Sequence, residues 1–142
     1  MSRKTARELA FKIIFALNFQ DEELKVEDMI PPLLDVAEKD EEITEEDFSY
    51  IKDVVHGVHE KISKLDETIE AHLKGWKMDR ICKTDLAILR LATYEMLFRK
   101  DIPYKVSVNE AVELAKAFSE DNSPSFINGV LAEIIQTEGI NE

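Results

Sequence analysis

A chain of 142 residues is one ordinary domain, long enough to bury a core without metal or disulfide. Four glycines and four prolines are too few for an all-β fold with its frequent turns, and a single cysteine, Cys82, excludes an internal bridge. The net charge of −12 excludes a protein that coats nucleic acid indiscriminately, and no apolar run approaches the roughly 18 residues of a membrane span, so a cytoplasmic protein is expected.

Helical periodicity begins at once. Ala6, Leu9, Ala10, Ile13, Ile14 and Leu17 repeat at three and four, one face of a first helix. Arg3, Lys4, Arg7 and Lys12 against Glu8 give residues 1–12 a net +3, which leaves −15 for the rest. A ligand within a Debye length, about 8 Å in physiological salt, feels that patch more than the total. Val26, Met29, Ile30, Leu33, Leu34 and Ala37 predict a second helix, started or kinked at Pro31-Pro32. An acidic loop, Glu38–Glu42, follows.

Thr44-Glu45-Glu46-Asp47 predicts an N-cap hydroxyl with acids in the positive first turn of a third helix, striped by Ile51, Val54, Val55, Val58, Ile62 and Leu65. Asp66 is the expected cap of a short fourth helix carrying Ile69, Leu73 and Trp76, with Gly75 as its stop. The fifth, from Leu86 to about Arg99, is apolar almost all round and therefore central. Its Arg90 needs a partner, with Glu110 and Glu113 as candidates. Ser107-Val108-Asn109-Glu110 predicts a capping box for a sixth helix, and Ser123-Pro124 a cap and first-turn proline for a seventh that ends at Gly139. Gly129 inside that helix predicts a close helix–helix approach. The expected fold is all-α, about seven helices, with an N-terminal half near 1–62 and a C-terminal half near 63–142.

Catalytic chemistry finds no purchase here. Asp53, His56 and His59 share a helical side, but a zinc or bundle metal site needs matching ligands that the sequence lacks. Cys82 has Arg80 and Lys83 nearby and no recognisable base. Glycines at 57, 75, 129 and 139 form no phosphate loop. Neither metal nor cofactor is expected.

Four segments together resemble the NusB family of bacterial transcription antitermination factors. They are Arg3-Lys4-Thr5-Ala6-Arg7-Glu8-Leu9-Ala10, Ala87 to Glu95, Asp101 to Phe118, and Asn122-Ser123 with Phe126-Ile127-Asn128-Gly129-Val130-Leu131. The resemblance spans residues 3–136 in order. It implies two packed three-helix bundles with an additional N-terminal helix. It implies an RNA-binding adaptor, not an enzyme, that binds single-stranded boxA RNA of ribosomal RNA leaders as a heterodimer with NusE, a small-subunit ribosomal protein. That pair would join NusA, NusG and RNA polymerase. NusB-like domains also occur fused to RNA methyltransferases, but 142 residues leave no room for a methyl-donor domain. The family's RNA surface maps onto Arg3, Lys4, Arg7, Phe15, His72, Asn122, Ser123 and Phe126, and a family acid near the NusE and RNA contacts maps onto Asp85. Thr5 interrupts a denser arginine run found in many relatives, which implies that NusE supplies part of the basic surface. The alternative is a protein-interaction module with only incidental RNA binding.

Overall fold

The computed structural model describes residues 2–17 and 43–141. Six helices and one short 3₁₀ turn, Met78–Arg80, make up the described residues, with no strand among them. The helices are α1 (Arg3–Leu17), α2 (Glu45–Glu60), α3 (Ile62–Glu70), α4 (Lys83–Phe98), α5 (Tyr104–Phe118) and α6 (Ser123–Glu138). The helix expected over Val26–Ala37 and the acidic loop Glu38–Glu42 lie outside the described residues. The chain divides into two compact units, Met1–Glu60 and Lys61–Glu142.

In the first unit α1 packs on α2. Ala6, Ala10, Phe11, Ile13 and Ile14 are buried on α1, and Tyr50, Ile51, Val54, Val55 and Val58 on α2. Both N-termini are capped by hydroxyls. Ser2 Oγ accepts the Thr5 N–H at 3.1 Å, and Thr44 Oγ1 accepts the Asp47 N–H at 3.1 Å. Each such cap is worth about 1 kcal/mol.

In the second unit α4 is the central element, packed against α3, α5 and α6. Every residue from Asp85 to Met96 is buried. Leu89 and Ile127 are fully enclosed, and truncating either to alanine should cost about 2–5 kcal/mol. Gly139 closes α6 in the left-handed conformation, φ 63°, with its N–H on the Ile135 carbonyl.

Several details depart from expectation. The third helix breaks at Lys61, so Ile62 and Leu65 belong to α3. Asp66 is no cap. It sits inside α3 and, in place of Glu110 or Glu113, is the partner of Arg90, whose Nε and Nη2 donate to its two carboxylate oxygens at 2.8 Å each. A bidentate pair of this kind holds both ends strongly, and removing one partner strands the other. Leu73 and Trp76 fall beyond α3 in a turn marked by positive φ at Lys74 (46°) and Gly75 (90°). The sixth expected helix starts four residues early, with Pro103 in place of Ser107 at the cap position, because Pro103 with ψ 137° already sets the entry. Ser107 is therefore no cap. It lies buried within α5 and donates to Glu95 Oε1 at 2.8 Å. Asn122, not Ser123, occupies the cap position of α6, with no side-chain cap bond. Gly129 marks no close approach, since an added Cβ would meet nothing within 4 Å.

Candidate functional site

The eight residues expected at an RNA surface divide between the units. In the first unit Arg3 and Arg7 project from α1 toward α2. The Arg3 guanidinium lies 4.5 Å from the Tyr50 ring centroid, with Nε 3.4 Å from Asp47 Oδ1 and Nη2 3.8 Å from Glu46 Oε1. Arg7 lies 5.6 Å from the same ring and is only 4% exposed. The acidic first turn of α2 thus answers the basic start of α1. Lys4 is exposed, while Lys12 pairs with Glu8 at 3.2 Å. Phe15 is half-buried, its ring 6.4 Å from that of Phe11.

The other four belong to the second unit. His72 Nδ1 lies 2.7 Å from the Thr68 carbonyl. A carbonyl only accepts, so this nitrogen carries a proton. Asn122 is exposed in the turn between α5 and α6, and Ser123 is buried at the start of α6. Phe126 is half-buried one turn further along.

Asp85 explains how that turn is held. Its carboxylate is buried near the start of α4, and both oxygens face the turn. Oδ1 accepts from Ser119 Oγ at 2.5 Å, Oδ2 accepts from Ser123 Oγ at 2.9 Å, and the two hydroxyl oxygens lie 2.9 Å apart. One carboxylate therefore clamps both ends of the segment that presents Asn122. Cys82 Sγ, exposed at the cap position of α4, lies 3.9 Å from Ser119 Oγ.

Two adjoining hollows complete the surface. One, of about 260 Å³, is lined by Trp76, Arg80, Asp85, Glu120, Asn122 and Phe126 among others. The second, of about 440 Å³, is lined by His72, Lys74, Trp76, Phe126, Gly129 and Glu133 among others. Trp76 and Phe126 border both, their ring centroids 6.3 Å apart and the planes steeply inclined at 61°. Lys74 Nζ bonds Glu133 Oε1 at 2.7 Å. That hydrogen bond and the lysine charge hold the Glu133 carboxyl below its ordinary pKa, with His72 adding to the effect. The structure so brings His72, Asn122, Phe126 and Asp85 around one aromatic ridge. Trp76 and Ser119 were not among the expected site residues. Trp76 continues the apolar spacing of Leu73 and reads as core. Ser119 has no signal in the sequence beyond its place four residues before Ser123.

Among the described residues no group of three or more His, Cys, Asp or Glu side chains is placed to hold a metal ion, and no helix is long and apolar enough to cross a membrane.

The arrangement has relatives. The NusB family matches residues 4–136. The transcription antitermination protein NusB of Clostridium botulinum strain Hall is 44% identical over 146 aligned positions, covering 95% of this chain and 100% of that protein. NusB of T. maritima has a similar structure, with TM-score 0.85 and 32% identity over 96% of this chain and 92% of that one. A structure of the antitermination factors NusB and NusE in complex with double-stranded RNA is also similar, with TM-score 0.80 and 25% identity over 95% of this chain and 96% of that one.

Proposed function

The chain belongs to the NusB family, and on that premise we propose that it is an RNA-binding adaptor of transcription antitermination. It binds the boxA element of ribosomal RNA leader transcripts as a heterodimer with NusE. In that form it joins NusA, NusG and RNA polymerase in the cytoplasm and supports processive transcription. It carries no catalytic step.

The observation that supports this reading best is the match over residues 4–136, together with the likeness to a NusB solved with NusE and RNA. The geometry suits it. Asn122, on the turn clamped by Asp85, and Phe126, in the first turn of α6, stand at the rim of a hollow where an unpaired base can stack and bond. Lys4 is exposed and placed to meet phosphate, with Arg3 beside it and Phe15 further along α1. Arg7 and Ser123 are buried and serve by holding the surface in shape. Asp85 faces inward, so its influence on NusE or RNA passes through the turn it holds.

The test is a titration of boxA-bearing single-stranded RNA with the chain alone and with NusE. The expected outcome is binding that NusE strengthens. No binding under either condition overturns the reading.

A further inference from the structure

From the turn after α3 to the first residue of α4 the chain reads Lys74-Gly75-Trp76-Lys77-Met78-Asp79-Arg80-Ile81-Cys82-Lys83. Four cations against Asp79 give these ten residues a net +3 in a chain of −12. The fold turns them outward. Lys74, Lys77, Arg80 and Lys83 are all exposed. Trp76, the only tryptophan in the chain, is 61% exposed. The positive φ values at Lys74 and Gly75 swing the chain just before it, and the 3₁₀ turn Met78–Arg80 follows.

A large ring left this open contributes little to the core. Trp76 instead forms a ridge with Phe126 between two hollows. Cations around an open aromatic ring are the chemistry that grips single strands, with phosphates neutralised and bases stacked. A duplex keeps its base faces covered by its own stacking, so a stacking ridge suits an unpaired strand. A basic protein partner would be repelled by the same cations, which argues against NusE as the occupant.

We propose that residues 74–83 form a second RNA-gripping element, in which Trp76 stacks on an unpaired base of a single-stranded RNA while Lys77, Arg80 and Lys83 neutralise its phosphates. This rests on the RNA-adaptor reading and adds to it Trp76 and the cations beside the hollow that Asn122 and Phe126 line. Lys74 contributes less, because Glu133 already holds it.

Trp76 is its own reporter, since no second tryptophan contributes to the fluorescence. The full chain, with and without NusE, is titrated with boxA-bearing single-stranded RNA. Saturable change in tryptophan emission is expected. Trp76→Ala should weaken binding about 5- to 150-fold, and Trp76→Phe should retain most of it. The Lys77→Ala, Arg80→Ala, Lys83→Ala triple variant should flatten the salt dependence by about 2 in slope, from three contacts at about 0.7 each. All should melt as the parent does.

If the parent binds RNA while a folded Trp76→Ala variant binds as tightly and the emission never changes, the inference is overturned and the adaptor reading stands. Loss of NusE binding with RNA binding intact overturns it in favour of a protein interface. Should Trp76→Ala fail to fold, the triple variant decides, and an unchanged slope overturns the proposal. A parent that binds no RNA even with NusE overturns the adaptor reading, and this site with it.

Discussion

Residues 1–12 and 74–83 each carry a net +3, and the fold uses the two stretches in opposite ways. On α1 the arginines turn inward. Arg7 is 4% exposed over Tyr50, and Arg3 shares its charge with Asp47 and Glu46. In the connector and at the first residue of α4 all four cations are exposed beside an open tryptophan, and of these Lys74 is paired with Glu133. Formal charge along the sequence is therefore a poor guide to the potential a ligand meets. What counts is which cations the packed neighbours have already engaged. Substitutions that separate folding from binding can sharpen this contrast or break it.

The largest effect is expected at Arg7. Replacing it with alanine removes a buried side chain whose stem fills space and whose guanidinium stacks on Tyr50. Arg7→Ala should lower stability by about 2–3 kcal/mol, read by urea denaturation. Lys77→Ala should stay within about 0.5 kcal/mol of the parent and lose RNA affinity. If Arg7→Ala melts like the parent and only RNA binding falls, the contrast between the two stretches fails.

Asp85 comes next, because its two carboxylate oxygens hold both ends of the turn that presents Asn122. Asp85→Ala removes the carboxylate that accepts from both serines, and since Ser119 and Ser123 can then bond only each other, one hydroxyl proton loses its acceptor, at a cost of about 1–3 kcal/mol. Asp85→Asn keeps one accepting oxygen and should recover part of the loss. RNA binding, measured where both variants are fully folded, should fall in the same order. Equal binding by Asp85→Ala and parent would mean that the turn holds its shape unaided.

The limits of sequence reading are visible in the same residues. The helical class follows from periodicity, and the apolar sweep from Leu86 to Met96 is enough by itself to mark α4 as central. The basic start of α1 is equally plain, but the direction of Arg7 depends on Tyr50, more than forty residues away, and no local pattern carries that. Ser107 shows how one pattern serves two ends. A serine three residues before a glutamate marks a helix start, yet here it satisfies a buried carboxyl from the preceding helix. Trp76 misleads for a backbone reason. It keeps the spacing of Leu73, and only the positive φ at Lys74 and Gly75 rotates it out of the core. The 74–83 cations hide because Trp76, Met78 and Ile81 separate them, so no basic run stands out against −12.

A smaller test compares single cations. Lys77→Ala should flatten the salt slope of RNA binding by about 0.7, the value of one phosphate contact on a single strand. Arg3→Ala should change it by less, since Asp47 and Glu46 already offset that charge. Slopes measured between about 50 and 200 mM salt separate the two. A larger change at Arg3 would place the main phosphate contact on α1.

The smallest expected effect lies at Glu133, and it probes the one connector cation that the fold has engaged. Lys74 donates to Glu133, and this bond together with the lysine charge holds the carboxyl below its ordinary pKa. A carboxyl whose folded pKa is depressed stabilises the fold above its unfolded pKa, and that contribution disappears as pH falls through the lowered folded value. The Lys74–Glu133 bond is therefore intact at neutral pH and releases the lysine only in acid. Glu133→Gln should reproduce that release at pH 7. Lys74 then becomes available to phosphate, and the salt slope of RNA binding should steepen by up to about 0.7. The stability difference between parent and Glu133→Gln should be present near neutrality and vanish below the ordinary carboxylate range, as followed by melting temperature against pH. Combining Glu133→Gln with Lys74→Ala should abolish the gain in slope. If the gain persists without Lys74, the carboxylate acts on RNA directly by repulsion, and the connector's cations number three, not four.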